Sequence, residues 1–178
     1  MNPLHANFAE LYQRHLCRHS QFGINVIHLI SLLATYWALY SCAFSLLGTI
    51  WPLLAVAALY MGILAVNVPI RVFILTLLFV ALFFAVLFAL PTLPFYVYLL
   101  TLYPFYKLQA VSHRFYDKAY DMTEFNQKYP KGVALFFLLS TYELPIQLNA
   151  LFQLSFAGSQ FLRRATVLTD NRQLITDN

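Results

Sequence analysis

Five histidines, His5, His15, His19, His28 and His113, are the side chains of this chain with the widest chemical scope. A neutral imidazole binds a transition metal or moves a proton near pH 7. His15 and His19 stand four residues apart, as do His113 and Asp117, so on helices each pair projects from one face. Two imidazoles and one carboxylate, with coordination positions left open, suit non-haem Fe(II) and oxygen. His19, His28 and His113 are the candidate ligands, with Asp117 as a further donor. They act together only if the surrounding elements bring them to one place.

Those elements are set by an unusual composition. Of 178 residues, 61% are hydrophobic and 10% are charged, against about 25% charged in a soluble domain. Such a chain must meet lipid. No Asp, Glu, Lys or Arg occurs between His19 and Ile70, or between Val72 and Tyr106. One crossing takes about 20 apolar residues, so each stretch holds two. The expected crossings are 25–47 and 50–68, turning at Gly48 and Thr49, then 72–90 and 93–111, turning at Pro91-Thr-Leu-Pro94.

The expected fold is therefore all-α, an integral membrane helical bundle of two hairpins plus a fifth helix. That fifth element, within 133–157, is expected to be broken or re-entrant, because Glu143, Pro145, Gln147 and Asn149 fall near its middle. A full crossing there would carry Arg163 and Arg164 to the opposite face. Residues 1–23 read as a polar amphipathic segment with a helix starting near Ala6. The membrane domain spans 24–157 with a polar insert at 112–132, and 158–178 reads as a loose polar tail.

Charge gives the orientation. Arg14, Arg18, Arg71, Lys107, Arg114, Lys118, Lys128 and Lys131 all fall on one side of this topology, which the positive-inside rule makes cytoplasmic. The membrane is a bacterial inner membrane or the endoplasmic reticulum. The net charge of +4 and pI near 9.1 come from cations at the ends of apolar runs. Their partners are anionic headgroups of the bilayer rather than nucleic acid. Cys17 and Cys42 have neither metal-type spacing nor a disulfide framework, and read as packing residues. Residues 1–23 lack the short apolar core of a cleavable signal peptide, so the first apolar run is expected to remain as an uncleaved anchor.

An even number of crossings returns His15, His19 and His113 to one membrane face, with His28 about one turn inside it. Asn25 and Gln109 are placed either to hold imidazoles in orientation or to bond between helices. Glu143 is a ligand, a partner for a cation such as Arg114, or a protonated core acid; the three remain open. The aromatics from Phe95 to Tyr106 read as an interfacial belt. The chain has no Gly-rich phosphate loop and no metal-type cysteine pair.

The segment Gln109-Ala-Val-Ser-His113-Arg-Phe-Tyr-Asp117 resembles the Q-x-x-G-H-x-x-F-E motif of the Mpo1-like family of small multi-pass membrane proteins. His19 and His28, nine residues apart with Asn25 between them, resemble its other motif, and the likeness covers residues 11–154. Ser112 stands for the motif's Gly and Asp117 for its Glu, while Ile30-Ser-Leu-Leu33 replaces a Gly-x-Pro. The family includes an iron-dependent 2-hydroxy fatty acid dioxygenase of α-oxidation. The resemblance implies an Fe(2+) cofactor, a fatty acyl lipid substrate with O2, and one-carbon shortening. It assigns His19, His28 and His113 as ligands, with Asp117 a fourth ligand or orienting carboxylate. A diiron desaturase or hydroxylase needs about eight histidines and does not fit. The alternative from another class is a non-catalytic membrane protein that binds lipid, assists assembly or forms part of a transporter.

Overall fold

The computed structural model describes residues 6–19, 21–115, 123–129 and 132–176. Among them are seven helices and no strand: α1 (Phe8–Arg18), α2 (Phe22–Leu47), α3 (Trp51–Asn67), α4 (Ile70–Ala89), α5 (Phe95–Phe115), α6 (Thr123–Lys128) and α7 (Val133–Thr176). The punctuation lies where local chemistry puts it. Gly48 closes α2 in the left-handed region at φ 64°, its N–H donating to Phe44 O at 2.9 Å. Pro52 sits in the first turn of α3, and Pro69 caps α4. Asn7 begins α1 by accepting from Glu10 N through Oδ1 at 3.2 Å.

Three helical stretches, Phe22–Leu47, Ile70–Ala89 and Val133–Gln153, are long and apolar enough to cross a membrane; α3 is a shorter apolar helix. The distribution of polarity is that of a lipid-facing bundle. Val66 is 79% exposed and Leu100 75%, while Asn25, Ser31, Thr76 and Gln147 are fully buried. In water that arrangement would waste apolar surface. In lipid it puts every polar group where protein can satisfy it.

The pairs that pack most closely are not sequence neighbours. α2 lies chiefly along α5, then α7, and α4 lies along α7. Ser31, Ala38 and Cys42 make a small-residue stripe on α2 that admits α5 closely. Ser31 Oγ donates to Phe105 O at 2.6 Å. One layer further on, Ala38 and Cys42 pack on Tyr98, whose ring meets Trp37 edge-on at 5.3 Å. The Tyr98 hydroxyl in turn accepts from Leu93 N at 2.7 Å, tying the turn before α5 to its first helical residues. Pairing of Ser31 with Phe105 and of Ala38 with Tyr98 makes α2 and α5 antiparallel.

Two expectations about the last element are corrected. The stretch after Val133 is neither broken nor re-entrant: α7 is one 44-residue helix with Pro145 inside it. Proline removes the bond to the carbonyl four residues back, here that of Thr141, and packing holds the helix across the gap. Leu144 and Leu148, on either side of the proline, pack on Leu32 of α2, and Tyr36 OH donates to Ser140 O at 3.2 Å, one residue before the freed carbonyl. The same contacts make α7 antiparallel to α2, so it starts level with the end of α2 and runs towards its beginning. Its continuation leaves the bundle at the end where α2 starts, and Arg163 and Arg164 follow it there. The segment expected as a loose tail is helical through Thr176.

α1 packs on α7, with Phe8 and Leu11 joining Leu138, Tyr142 and Ile146 in one core. Tyr12 OH donates to Gln153 Oε1 at 3.1 Å, and burial raises the Tyr12 pKa. Lys128 of α6 pairs with Glu10 of α1 at 2.8 Å.

Substitution of Ala38 by Leu, at a position with no exposure, is expected to wedge α2 from α5 and cost about 1–3 kcal/mol. The apparent melting temperature in detergent measures this. A variant as stable as the parent would mean that the two helices do not meet here.

Candidate functional site

At the start of α2, three imidazoles and one amide form a closed group. α1 ends at His19, whose backbone N–H donates to His15 O at 2.8 Å, while its ring Nδ1 lies 3.3 Å from the same oxygen. A carbonyl only accepts, so Nδ1 carries the proton and Nε2 of the neutral ring carries the lone pair. The His15 and His19 rings stack with centroids 4.3 Å apart. The i,i+4 spacing expected on one helix face is realised. His28, nearly two turns into α2, meets the His19 ring edge-on at 4.5 Å. All three are buried.

Asn25 holds the group together. Its Nδ2 donates to His19 O at 2.7 Å and to Gln21 O at 2.8 Å. Two carbonyl partners fix the amide orientation, so Oδ1 is the atom 2.7 Å from His15 Nε2. His15 therefore donates from Nε2. One fully buried amide thus locks the α1–α2 junction and sets one tautomer.

The α2–α5 register extends to residue 113. With Ser31 opposite Phe105 and Ala38 opposite Tyr98, the backbone of residue 113 falls opposite Gly23, at the height of the cluster. Ser112 beside it is buried. The side chains of Gln109 and His113, and all of His5 and Asp117, lie outside the described residues. Among those described, no group of three or more His, Cys, Asp or Glu side chains has the geometry to hold a metal ion. Glu143 stands apart from the cluster. The α2–α7 register puts it opposite Leu33, about 7 Å deeper than His28, where its Oε1 accepts from Gln147 Nε2 at 3.2 Å.

Among known proteins, no family model, no curated protein and no solved structure matches this chain.

Two apolar cavities flank α2. One of about 440 Å³ is lined by α2 and α4, including Ile30, Trp37 and Phe83. Another of about 220 Å³ lies between α2, α3, α4 and α7, with Tyr36, Tyr40 and Tyr60 in its lining. Leu32, Leu144 and Leu148 form an apolar layer between the second cavity and His28. Sequence reasoning missed these cavities, because they arise from helix pairing rather than from any local pattern. It also missed the Ser31 bridge, although the stripe of small residues on α2 was a usable signal.

The Asn25 geometry has a measurable consequence. Asn25→Ala removes the amide partner of the buried His19 carbonyl and the buried His15 N–H, and of the part-buried Gln21 carbonyl, and is expected to cost about 2 kcal/mol. Asn25→Asp should cost more at neutral pH, since it turns a charged acceptor towards two carbonyls. That extra cost should shrink as pH falls and the carboxyl takes up a proton. Thermal unfolding across pH decides it; equal stability of the Asp variant and the parent would contradict the bonding described.

Proposed function

We propose that the chain is an integral membrane Fe(II)-dependent dioxygenase that acts on 2-hydroxy fatty acids and shortens them by one carbon. Its histidine end faces the cytoplasm, in a bacterial inner membrane or the endoplasmic reticulum. The observation that carries this reading is the contact of His15, His19 and His28 at the end of the bundle to which α5 brings residue 113. Sidedness draws on the cations Arg14, Arg71 and Arg114 at or near that end, together with the direction of α7.

The donor chemistry fits iron. A metal-binding histidine usually gives its other N–H to a carbonyl, which fixes the tautomer; His19 does so through Nδ1 to His15 O. His19 and His28 would hold the ion with His113, and Asp117 would add a carboxylate or orient an imidazole. Bound Fe(II) supplies a site at which O2 and the substrate's carboxylate and hydroxyl are brought together. Asn25 and His15 keep the His19 ring aligned, and burial of the cluster keeps bulk water away. The acyl chain lies among the apolar helices, with its polar head at the histidine end.

A second reading is favoured by a different observation. The Asn25 bonds and the imidazole stack already serve as a lock between α1 and α2, and an apolar layer separates His28 from the interhelical cavity. A non-catalytic lipid-binding, assembly or transport subunit would need no more. The two readings part at the metal.

After anaerobic loading, the purified protein is expected to hold close to one iron, and His28→Ala and His113→Ala to lose most of it. Below roughly a tenth of an equivalent in the parent protein, the enzyme reading fails. Loading should weaken as pH falls, because a protonated imidazole cannot bind metal. Membranes containing the parent should convert 2-hydroxy palmitic acid to the acid one carbon shorter, and those with His113→Ala should not.

A further inference from the structure

We infer that the groove between α4 and α7 at the histidine end is a seat for one anionic phospholipid of the adjoining leaflet, with its phosphate at Arg71 and an acyl chain against Leu78. This rests on a different part of the molecule from the histidine cluster and is independent of any chemistry there.

The groove encloses about 200 Å³ and is lined by Arg71, Ile74, Leu75, Leu78, Asn149 and Phe152, among others. Its two ends differ in kind. Arg71 and Asn149 stand at the bundle end, and the lining is aliphatic from Ile74 to Leu78, about 10 Å along α4 from Arg71 to Leu78. Arg71 is the one Asp, Glu, Lys or Arg between His19 and Lys107. It makes no ion pair among the described residues; its guanidinium lies over the Phe152 ring, 5.8 Å from the centroid, which holds it above the groove. The first turn of α4 adds to the field. The first helical bond to Pro69 O comes from Phe73 N, so the amides before it point outward with the positive end of the helix dipole.

Asn149 completes the polar end. It is 8% exposed, and its Oδ1 accepts from Gln153 Nε2 at 3.4 Å. Gln153 is itself held by Tyr12 OH. With the amide oxygen occupied, Nδ2 is the part of Asn149 available to the groove, a donor suited to a phosphate oxygen. A cation and an amide donor above a strip of aliphatic surface match a phosphodiester carrying an acyl chain. The exposed flanks of Ile74 and Leu78 open sideways, so bilayer lipid enters without leaving its leaflet.

Native mass spectrometry of the detergent-purified protein, with dioleoyl phosphatidylglycerol against dioleoyl phosphatidylcholine, tests this. The parent is expected to retain the anionic lipid about five-fold better, as one juxtamembrane cation provides. Arg71→Gln should bring the ratio close to one, whereas Lys107→Gln, outside the groove, should leave it unchanged. Leu78→Trp keeps every charge and fills the groove, and should reduce retention of phosphatidylglycerol. Both groove substitutions are at exposed positions, so the fold is retained. Equal retention of the two lipids by the parent overturns the proposal, as does a preference that survives Arg71→Gln. An unaffected Leu78→Trp variant would reduce the site to diffuse attraction, and displacement of the lipid by millimolar inorganic phosphate would make it a free-anion site. Either result also overturns it.

Discussion

The close approach of α2 to α5 governs what the histidine end can be. Lipid tails are as apolar as leucine, so within a bilayer no hydrophobic force would draw two such helices together. What holds them is fit. Ser31, Ala38 and Cys42 leave room for the α5 backbone, Tyr98 fills the next layer, and the Ser31 hydroxyl closes on Phe105 O. Because that pairing is antiparallel and tightly registered, the end of α5 and the start of α2 arrive at one height. Everything proposed for the histidines depends on that coincidence of height.

The second dependence is on one buried amide. Asn25 is a short side chain with two donors and one acceptor, and all three functions are used within the α1–α2 corner. Water is scarce there, so each of those bonds is worth more than at a surface, and each would be costly to leave unmade. The amide also determines which nitrogen of His15 carries its proton, and α1 geometry does the same for His19. Two of the three imidazoles are thus ordered in protonation as well as in position.

Much of this was legible in the sequence, for identifiable reasons. Charge-free runs of fixed length, divided at Arg71 and turning at Gly48 and Pro91, placed α2 to α5 within a few residues of where they lie. The i,i+4 spacing of His15 and His19 gave their shared face, and the apolar runs gave the all-helical, membrane-type bundle. Helix partners were not legible. The hairpins read from the chain order turn out to be connected but weakly packed, since α2 prefers α5 and α4 prefers α7. Sequence order says which helices are joined, while side-chain size on each face decides which ones touch. Pro145 misled for a related reason. A proline costs one backbone bond, here the one to Thr141 O, but α7 is held across that point by packing of Leu144 and Leu148 on Leu32 and by the Tyr36 bond to Ser140 O.

The direction of α7 changes how charge is distributed over the molecule. α5 ends at the histidine end and α7 begins at the other, so the chain between Phe115 and Val133 joins opposite ends of the bundle. A connection that carries charge beside an apolar bundle must have it neutralised, because an isolated ion next to lipid is costly. The Glu10–Lys128 pair meets that requirement, with a carboxylate from the first helix supplied to a lysine from the connection. Arg71 is treated differently. It has a ring beneath it and no carboxylate among the described residues. The lysine of the connection is cancelled from within the protein, whereas Arg71 is left for the headgroup region to neutralise. The same electrostatic cost bears on both cations.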